Sequence, residues 1–221
     1  MRARTGAVIG CLLVGGYAAA MLAVVLTTSD GPLRPGDRPD PAAADAFVDA
    51  WDRSRTATFL RTGTFERRSE VTGADIASED VLVQDPPRRL HRQLGGASGR
   101  ADDRLLVCPA PVADGPPPEC RLGAPGGPTY AEDVEAEVEG LRSLLEGRDP
   151  VYGVAKVDGG CFALAQRRSE PRAPFGLEAS FCFDAATGAP TDSEVRYAGG
   201  IVEVVTTTRL TSEVSADDLV P

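Results

Sequence analysis

The chain has 221 residues and carries 33 acidic against 23 basic side chains, a formal net charge of −10. That balance offers no electrostatic footprint for a nucleic acid, so none is expected as a partner. With one histidine, five cysteines and no C-x-x-C spacing, the sequence contains no metal-ligand set, and neither a metal nor another cofactor is expected.

From Gly6 to Thr28 the sequence GAVIGCLLVGGYAAAMLAVVLTT holds no charged residue. As a helix rising about 1.5 Å per residue it would extend roughly 34 Å, enough for one transmembrane span. Arg2 and Arg4 precede it, so residues 1–5 are read as a cytoplasmic tail and everything after residue 28 as extracytoplasmic. The segment is thus a signal-anchor at the cell membrane. Two rivals fit less well: Ala18–Ala20 lies inside the apolar block rather than after it as a cleavage site would, and lipidation at Cys11 would leave a long apolar stretch beyond the cut.

Residues 29–40 are rich in Pro and Gly and form a tether, and 41–221 form one extracytoplasmic domain. Removing Arg2 and Arg4 leaves that exported part 21 basic residues against 33 acidic, a charge near −12. Its four cysteines, Cys108, Cys120, Cys161 and Cys182, suit an oxidising compartment. Three pairings are open to them. The local ones fit best, because Cys108 and Cys120 bracket a loop, whereas Cys161 and Cys182 lie on apolar runs equidistant from Pro171-Arg172, which places them opposite each other across a hairpin.

In chain order, Asp40-Pro41 marks a helix start, with Phe47 and Trp51 four residues apart on its apolar side. Short strands are expected at residues 58–68, 75–84, 89–94 and 104–108. Arg67, Arg68, Arg88, Arg89 and Arg92 fall among them and read either as charges that blunt exposed strand edges or as a basic stripe for lipid phosphates. Residues 109–128, interrupted by Pro116–Pro118 and Gly126-Gly127-Pro128, are expected to be an irregular stapled loop. Thr129 and Glu132 then form a capping box before Val134, Val138, Leu141 and Leu145 at helical spacing, with Gly147 as the stop. Five strands follow, at 151–157, 161–167, 177–183, 190–197 and 201–210, joined by turns such as Asp158-Gly159-Gly160 and Ala198-Gly199-Gly200. The order gives an α+β class: a strongly curved antiparallel sheet of about nine strands, an incomplete barrel, with two main helices on one face.

This order, the helix-to-strand passage Trp51-x-x-x-Arg55-Thr56-Ala57-Thr58-Phe59 and the closing hairpin Cys182-Phe183-Asp184-Ala185-Ala186-Thr187-Gly188 resemble the outer-membrane lipoprotein carriers and the related mycobacterial cell-wall lipoproteins, the LolA/LppX-like family. The resemblance covers most of residues 41–215. It implies an incomplete barrel covered by helices and a pocket for an acylated lipid between them. On that reading the domain binds a lipid or other apolar ligand, or assists cell-envelope assembly, and Phe47, Trp51, Val138, Leu141 and Leu145 line the pocket. A second reading is a protein-interaction or sensory ectodomain with a packed core, working with another envelope protein. An enzyme is not expected: no nucleophile motif or phosphate loop is found, and His91 stands among arginines.

Overall fold

A computed structural model of the chain describes residues 40–102, 104–112, 119–170 and 173–221. The expected cytoplasmic tail, transmembrane helix and all but the last residue of the tether lie outside them. Among the described residues, no helix is long and apolar enough to cross a membrane.

Two helices form where their end signals stand. Helix α1 (Pro41–Thr56) is capped by Asp40, whose Oδ1 accepts from the amides of Ala42 and Ala43 at 3.1 and 3.2 Å, and proline occupies its first position. Helix α2 (Tyr130–Leu145) opens with the expected capping box: Thr129 Oγ1 accepts from Glu132 N, and Glu132 Oε2 accepts from Thr129 N at 2.7 Å. It ends with Gly147 at φ 97°, a left-handed angle that an L side chain rarely adopts.

The strands are β1 (Phe59–Ser69), β2 (Asp75–Asp85), β3 (Arg88–Gln93), β4 (Gly96–Ala101), β5 (Arg104–Cys108), β6 (Arg121–Leu122), β7 (Tyr152–Val157), β8 (Cys161–Gln166), β9 (Glu178–Phe183), β10 (Pro190–Tyr197) and β11 (Ile201–Thr211). They join in one curved, unclosed antiparallel sheet of 11 strands, ordered β6-β5-β4-β3-β2-β1-β11-β10-β9-β8-β7. The chain therefore lays down two meanders that meet where β1 pairs with β11. At that seam the register shifts between Thr62 and Gly63. A Cβ at residue 63 would stand 2.1 Å from the Thr206 carbonyl oxygen, so the close approach needs glycine and lets the sheet bend.

The sheet has more strands than the nine expected. The added ones are β4, whose sequence GASGRA has no alternation of large apolar residues, and β6, two residues inside the loop expected to be irregular. β6 pairs with β5 next to the Cys108–Cys120 bridge, 12 residues apart in sequence. The second bridge, Cys161–Cys182, joins directly opposed residues of β8 and β9, as the hairpin argument required.

The main core lies where the two helices pack on β7–β10. Phe47, Val48, Tyr130, Val134, Val138, Leu141 and Leu145 from the helices meet Tyr152, Val154, Phe162, Leu164, Ala179, Phe183 and Val195 from the strands. Two smaller clusters, around Phe59 and Leu82 and around Leu90 and Leu106, lie in the β1–β5 half.

Candidate functional site

Antiparallel alternation decides which side chains the helices cover. Opposed residues share a face, so the register puts Tyr152, Phe162, Leu164, Ala179, Phe181, Phe183 and Val195 on one side of β7–β10. Phe47 of α1 enters this surface fully buried, with ring centroids 5.3 Å from Phe162, 5.7 Å from Phe181, 6.1 Å from Phe183 and 6.3 Å from Phe175. Trp51, one turn further along α1, meets Phe47, Phe175 and Phe181 edge to face at 5.6–5.7 Å. The rings form a continuous apolar floor.

Above this floor runs an open groove of about 450 Å³, lined by Trp51, Leu141, Leu144, Pro174 and Phe175 with Glu137, Gly140 and Ser143. Its volume falls in the usual range for a small-molecule site, roughly 300–1,000 Å³. Gly140 keeps its α2 wall low, since a Cβ there would meet no atom within 4 Å. Glu137 fixes one end: its Oε1 accepts from Trp51 Nε1 at 3.0 Å and its Oε2 from Arg55 Nε at 2.8 Å, tying α1 to α2. The opposite wall is held by Tyr152, whose hydroxyl accepts from Phe175 N and donates to Gly176 O, both at 3.0 Å. Burial pushes the Tyr152 hydroxyl up to about 12, against the smaller opposing effect of the Phe175 amide.

Of the five side chains expected to line a pocket, Trp51 and Leu141 reach this groove. Phe47 lies beneath it in the ring cluster, at 0% exposure. Val138 is buried on α2 and borders a different open groove, of about 880 Å³, with Asp52, Thr56, Pro86 and Tyr130. Leu145 borders a small cavity of about 130 Å³ with Ala44, Tyr152 and Val154 at the far end of the helices. The structure thus distributes the five over four places. The groove's remaining lining came from residues that sequence patterning did not single out. Glu137 had a visible clue, for it stands three after Val134 and four before Leu141, on the apolar stripe itself. Pro174 and Phe175 belong to a connection whose position no periodicity sets.

The β1–β4 half of the same face is built differently. Asp80 is fully buried and accepts from His91 Nε2 at 2.7 Å and from Gln93 Nε2 at 3.0 Å, and it forms an ion pair with Arg61. Arg61 also donates to the Pro190 and Thr191 carbonyls, so this cluster stitches β1, β2 and β3 to the start of β10. Burial alone would raise the Asp80 carboxyl, but its bonds to His91 and Gln93 and the Arg61 and His91 charges outweigh it and hold the group below its ordinary value. His91 therefore has a carboxylate partner, unlike the isolated residue expected from its arginine neighbours.

The five arginines, read as blunting strand edges or as a stripe, do not lie on an edge strand. The edges of the sheet are β6 and β7, whereas β1 and β3 lie in its interior. Arg67 is paired with Glu203, Arg88 with Asp85 at 2.7 Å, and Arg92 donates to the Val220 carbonyl. Strands that looked like edges in sequence are covered because β11 returns beside β1 and β4 beside β3.

No protein-family model matches the sequence, and no curated relative matches it. Solved structures do. A MucB crystal structure is similar over 82% of this chain and 63% of that one, at 17% identity and a TM-score of 0.43, so the chain spans less than two thirds of its length. A LolA superfamily protein from Nitrosomonas europaea is similar over 79% of this chain and 96% of that one, at 10% identity and a TM-score of 0.31. LprF from Mycobacterium bovis is similar over 80% and 96%, at 10% identity and a TM-score of 0.32. Members of the carrier family that the sequence resembles are thus among the solved structures to which this chain is similar.

Proposed function

We propose that this chain is an extracytoplasmic binding domain, not an enzyme, which takes an acyl or similarly apolar ligand in the groove between Trp51, Gly140–Leu144 and Phe175, and which residues 6–28 hold at the membrane. The observation that carries this reading is the groove itself: an open, apolar-lined channel of about 450 Å³ whose floor is a cluster of packed rings. An alkyl chain laid there would replace water over Trp51, Leu141, Leu144 and Phe175, at about 25 cal/mol for each Å² of apolar surface removed. Two disulfides support placement in an oxidising compartment outside the cytoplasm.

The test uses the only tryptophan, Trp51, as its reporter. Titrating the purified full chain with a dibrominated fatty acid is expected to quench Trp51 emission to a plateau. Gly140→Phe, which fills the groove from a position with open space around it, is expected to abolish the quenching without changing the circular dichroism. Quenching that never saturates, or that survives in Gly140→Phe, would sink the proposal.

A second reading, docking of an envelope protein, is favoured by one observation. β5 leaves Leu105 and Val107 59% and 54% exposed, beside an edge strand only two residues long.

A further inference from the structure

The acyl groove has a polarity of its own, set by the hydrogen-bonding groups that its walls leave unused. Among the described residues that line it, Glu137 is the one that carries a charge, and Ser143 is the only other with a polar side chain besides Trp51. The lining therefore presents an anion and no cation. Arg55, which pairs with Glu137, does not line the groove, and its side chain is 13% exposed against 36% for Glu137. The carboxylate is the member of that pair within a ligand's reach.

The donors around the groove are already committed. Trp51 Nε1 and Arg55 Nε both donate to Glu137, at 3.0 and 2.8 Å. Ser143 Oγ donates to the Gly140 carbonyl at 2.6 Å, and Phe175 N donates to the Tyr152 hydroxyl. Pro174 has no N–H to offer. The other lining residues lie inside α1 or α2 beyond the first turn, where backbone amides bond within the helix. What remains is acceptor capacity. An ionised carboxylate offers about four lone-pair sites, of which two are taken here, and a serine hydroxyl that donates can still accept.

We propose that the groove selects amphiphiles whose polar end donates hydrogen bonds and carries no negative charge, an alcohol or an ammonium, over fatty acids and other anionic lipids. This inference rests on the acyl reading of the groove and adds the chemistry of the ligand's head. A hydroxyl or ammonium beside Glu137 meets an acceptor, and the ammonium gains a charge-assisted bond. An ionised carboxylate brings acceptors only. It gives up water, finds no donor in exchange and stands near a like charge. The chain's net charge of −10 opposes its approach as well. Glu137 is thus the specificity-determining residue, and Trp51 and Arg55 hold it in position.

Three dibrominated ligands of one chain length test this: octadecanol, octadecylamine and octadecanoic acid. Each is titrated below its critical micelle concentration against Trp51 emission of the full chain at about pH 8, where the acid is ionised and the amine protonated. All three are expected to saturate, with the alcohol and the amine bound about tenfold or more tightly than the acid, the scale of one hydrogen bond to a charged group. The neutral alcohol separates the groove's preference from the general attraction of an acidic chain for a cation. Glu137→Gln is expected to bring the acid within a few-fold of the alcohol. Because that substitution also leaves Arg55 without its partner, the wild-type order is decisive by itself: an acid bound as tightly as the alcohol overturns the proposal. So does an undiminished gap in Glu137→Gln when its circular dichroism matches the wild type. Saturation by all three ligands with equal affinity removes the head-group preference and leaves the acyl reading standing, whereas saturation by none removes both.

Discussion

One face of one sheet carries two kinds of interior. Over β7–β10 it is aromatic, and Phe47 alone touches five other rings. Over β1–β4 it is polar, with Asp80, Arg61, Gln84 and Arg100 all buried. The two regions are held by different forces. Packed rings are non-directional and tolerate an opening beside them, which is where the groove lies. A buried charge cluster is directional, and every member must be matched, so it fixes strand register but punishes any change. The open groove accordingly lies over the aromatic half, and the buried Arg61–Asp80 ion pair over the other.

The sharpest way to break this contrast is at Asp80. Asp80→Asn removes the charge that Arg61 and His91 face and leaves Arg61 buried, so it is expected to cost about 3–5 kcal/mol in chemical denaturation. Replacing both partners, Arg61→Met with Asp80→Leu, is expected to recover most of that loss, because no unpaired charge remains. The pH dependence separates the halves further. A carboxyl held low by its partners contributes stability that is fully present above the ordinary carboxylate value and is lost as pH falls through its folded value. The wild-type chain should therefore weaken in acid more steeply than Asp80→Asn. Equal acid slopes would show that Asp80 does not govern this half.

Much of the aromatic half was legible in the sequence and little of the polar half was. Asp40-Pro41, the Thr129–Glu132 box and the spacing of Val134, Val138, Leu141 and Leu145 are local signals, and each produced the element it predicts. Cys161 and Cys182 were placed opposite each other by counting from a hairpin, which is also local. Asp80 and Arg61, by contrast, are 19 residues apart and meet only because β1 and β2 pair in one register. β4 escaped notice for a related reason: its Gly99 lies so close to β3 that a Cβ would stand 1.9 Å from the Arg89 carbonyl oxygen, and glycine leaves no hydrophobic period to read. The groove was half legible. Trp51 and Leu141 follow from helix periodicity, whereas Phe175, in the connection between β8 and β9, is placed by the hydroxyl of Tyr152 from β7.

That tether provides a smaller test, at the other end of the pH scale. The Tyr152 hydroxyl is raised to about 12 in the fold and ionises near 10 when the chain unfolds. Its contribution is thus complete below pH 10 and is lost as pH rises toward 12, on the order of 2 kcal/mol over that window. Thermal melts should fall across this range in the wild type. In Tyr152→Phe the decline should flatten, and the loop bearing Phe175 should exchange its amide hydrogens faster at neutral pH. An unchanged alkaline slope would mean that the hydroxyl does not hold the wall of the groove.

The smallest expected effect on stability falls at Gly140, and it bears most directly on the aromatic half. Glycine inside a helix costs about 0.5–1 kcal/mol relative to alanine, because the unfolded chain has more freedom to lose. At residue 140 nothing in the fold demands it: a Cβ would meet no atom within 4 Å, and the backbone angle is not left-handed. Gly140→Ala should therefore raise stability by about that amount. Residue 140 lines the groove together with Trp51 and Phe175, so the methyl group added there should also weaken acyl quenching of Trp51 by a few-fold, the scale of one buried methyl. A variant that is both more stable and a poorer binder would show that the helix keeps glycine for room in the groove. A variant more stable with binding unchanged would place the ligand elsewhere on the ring cluster.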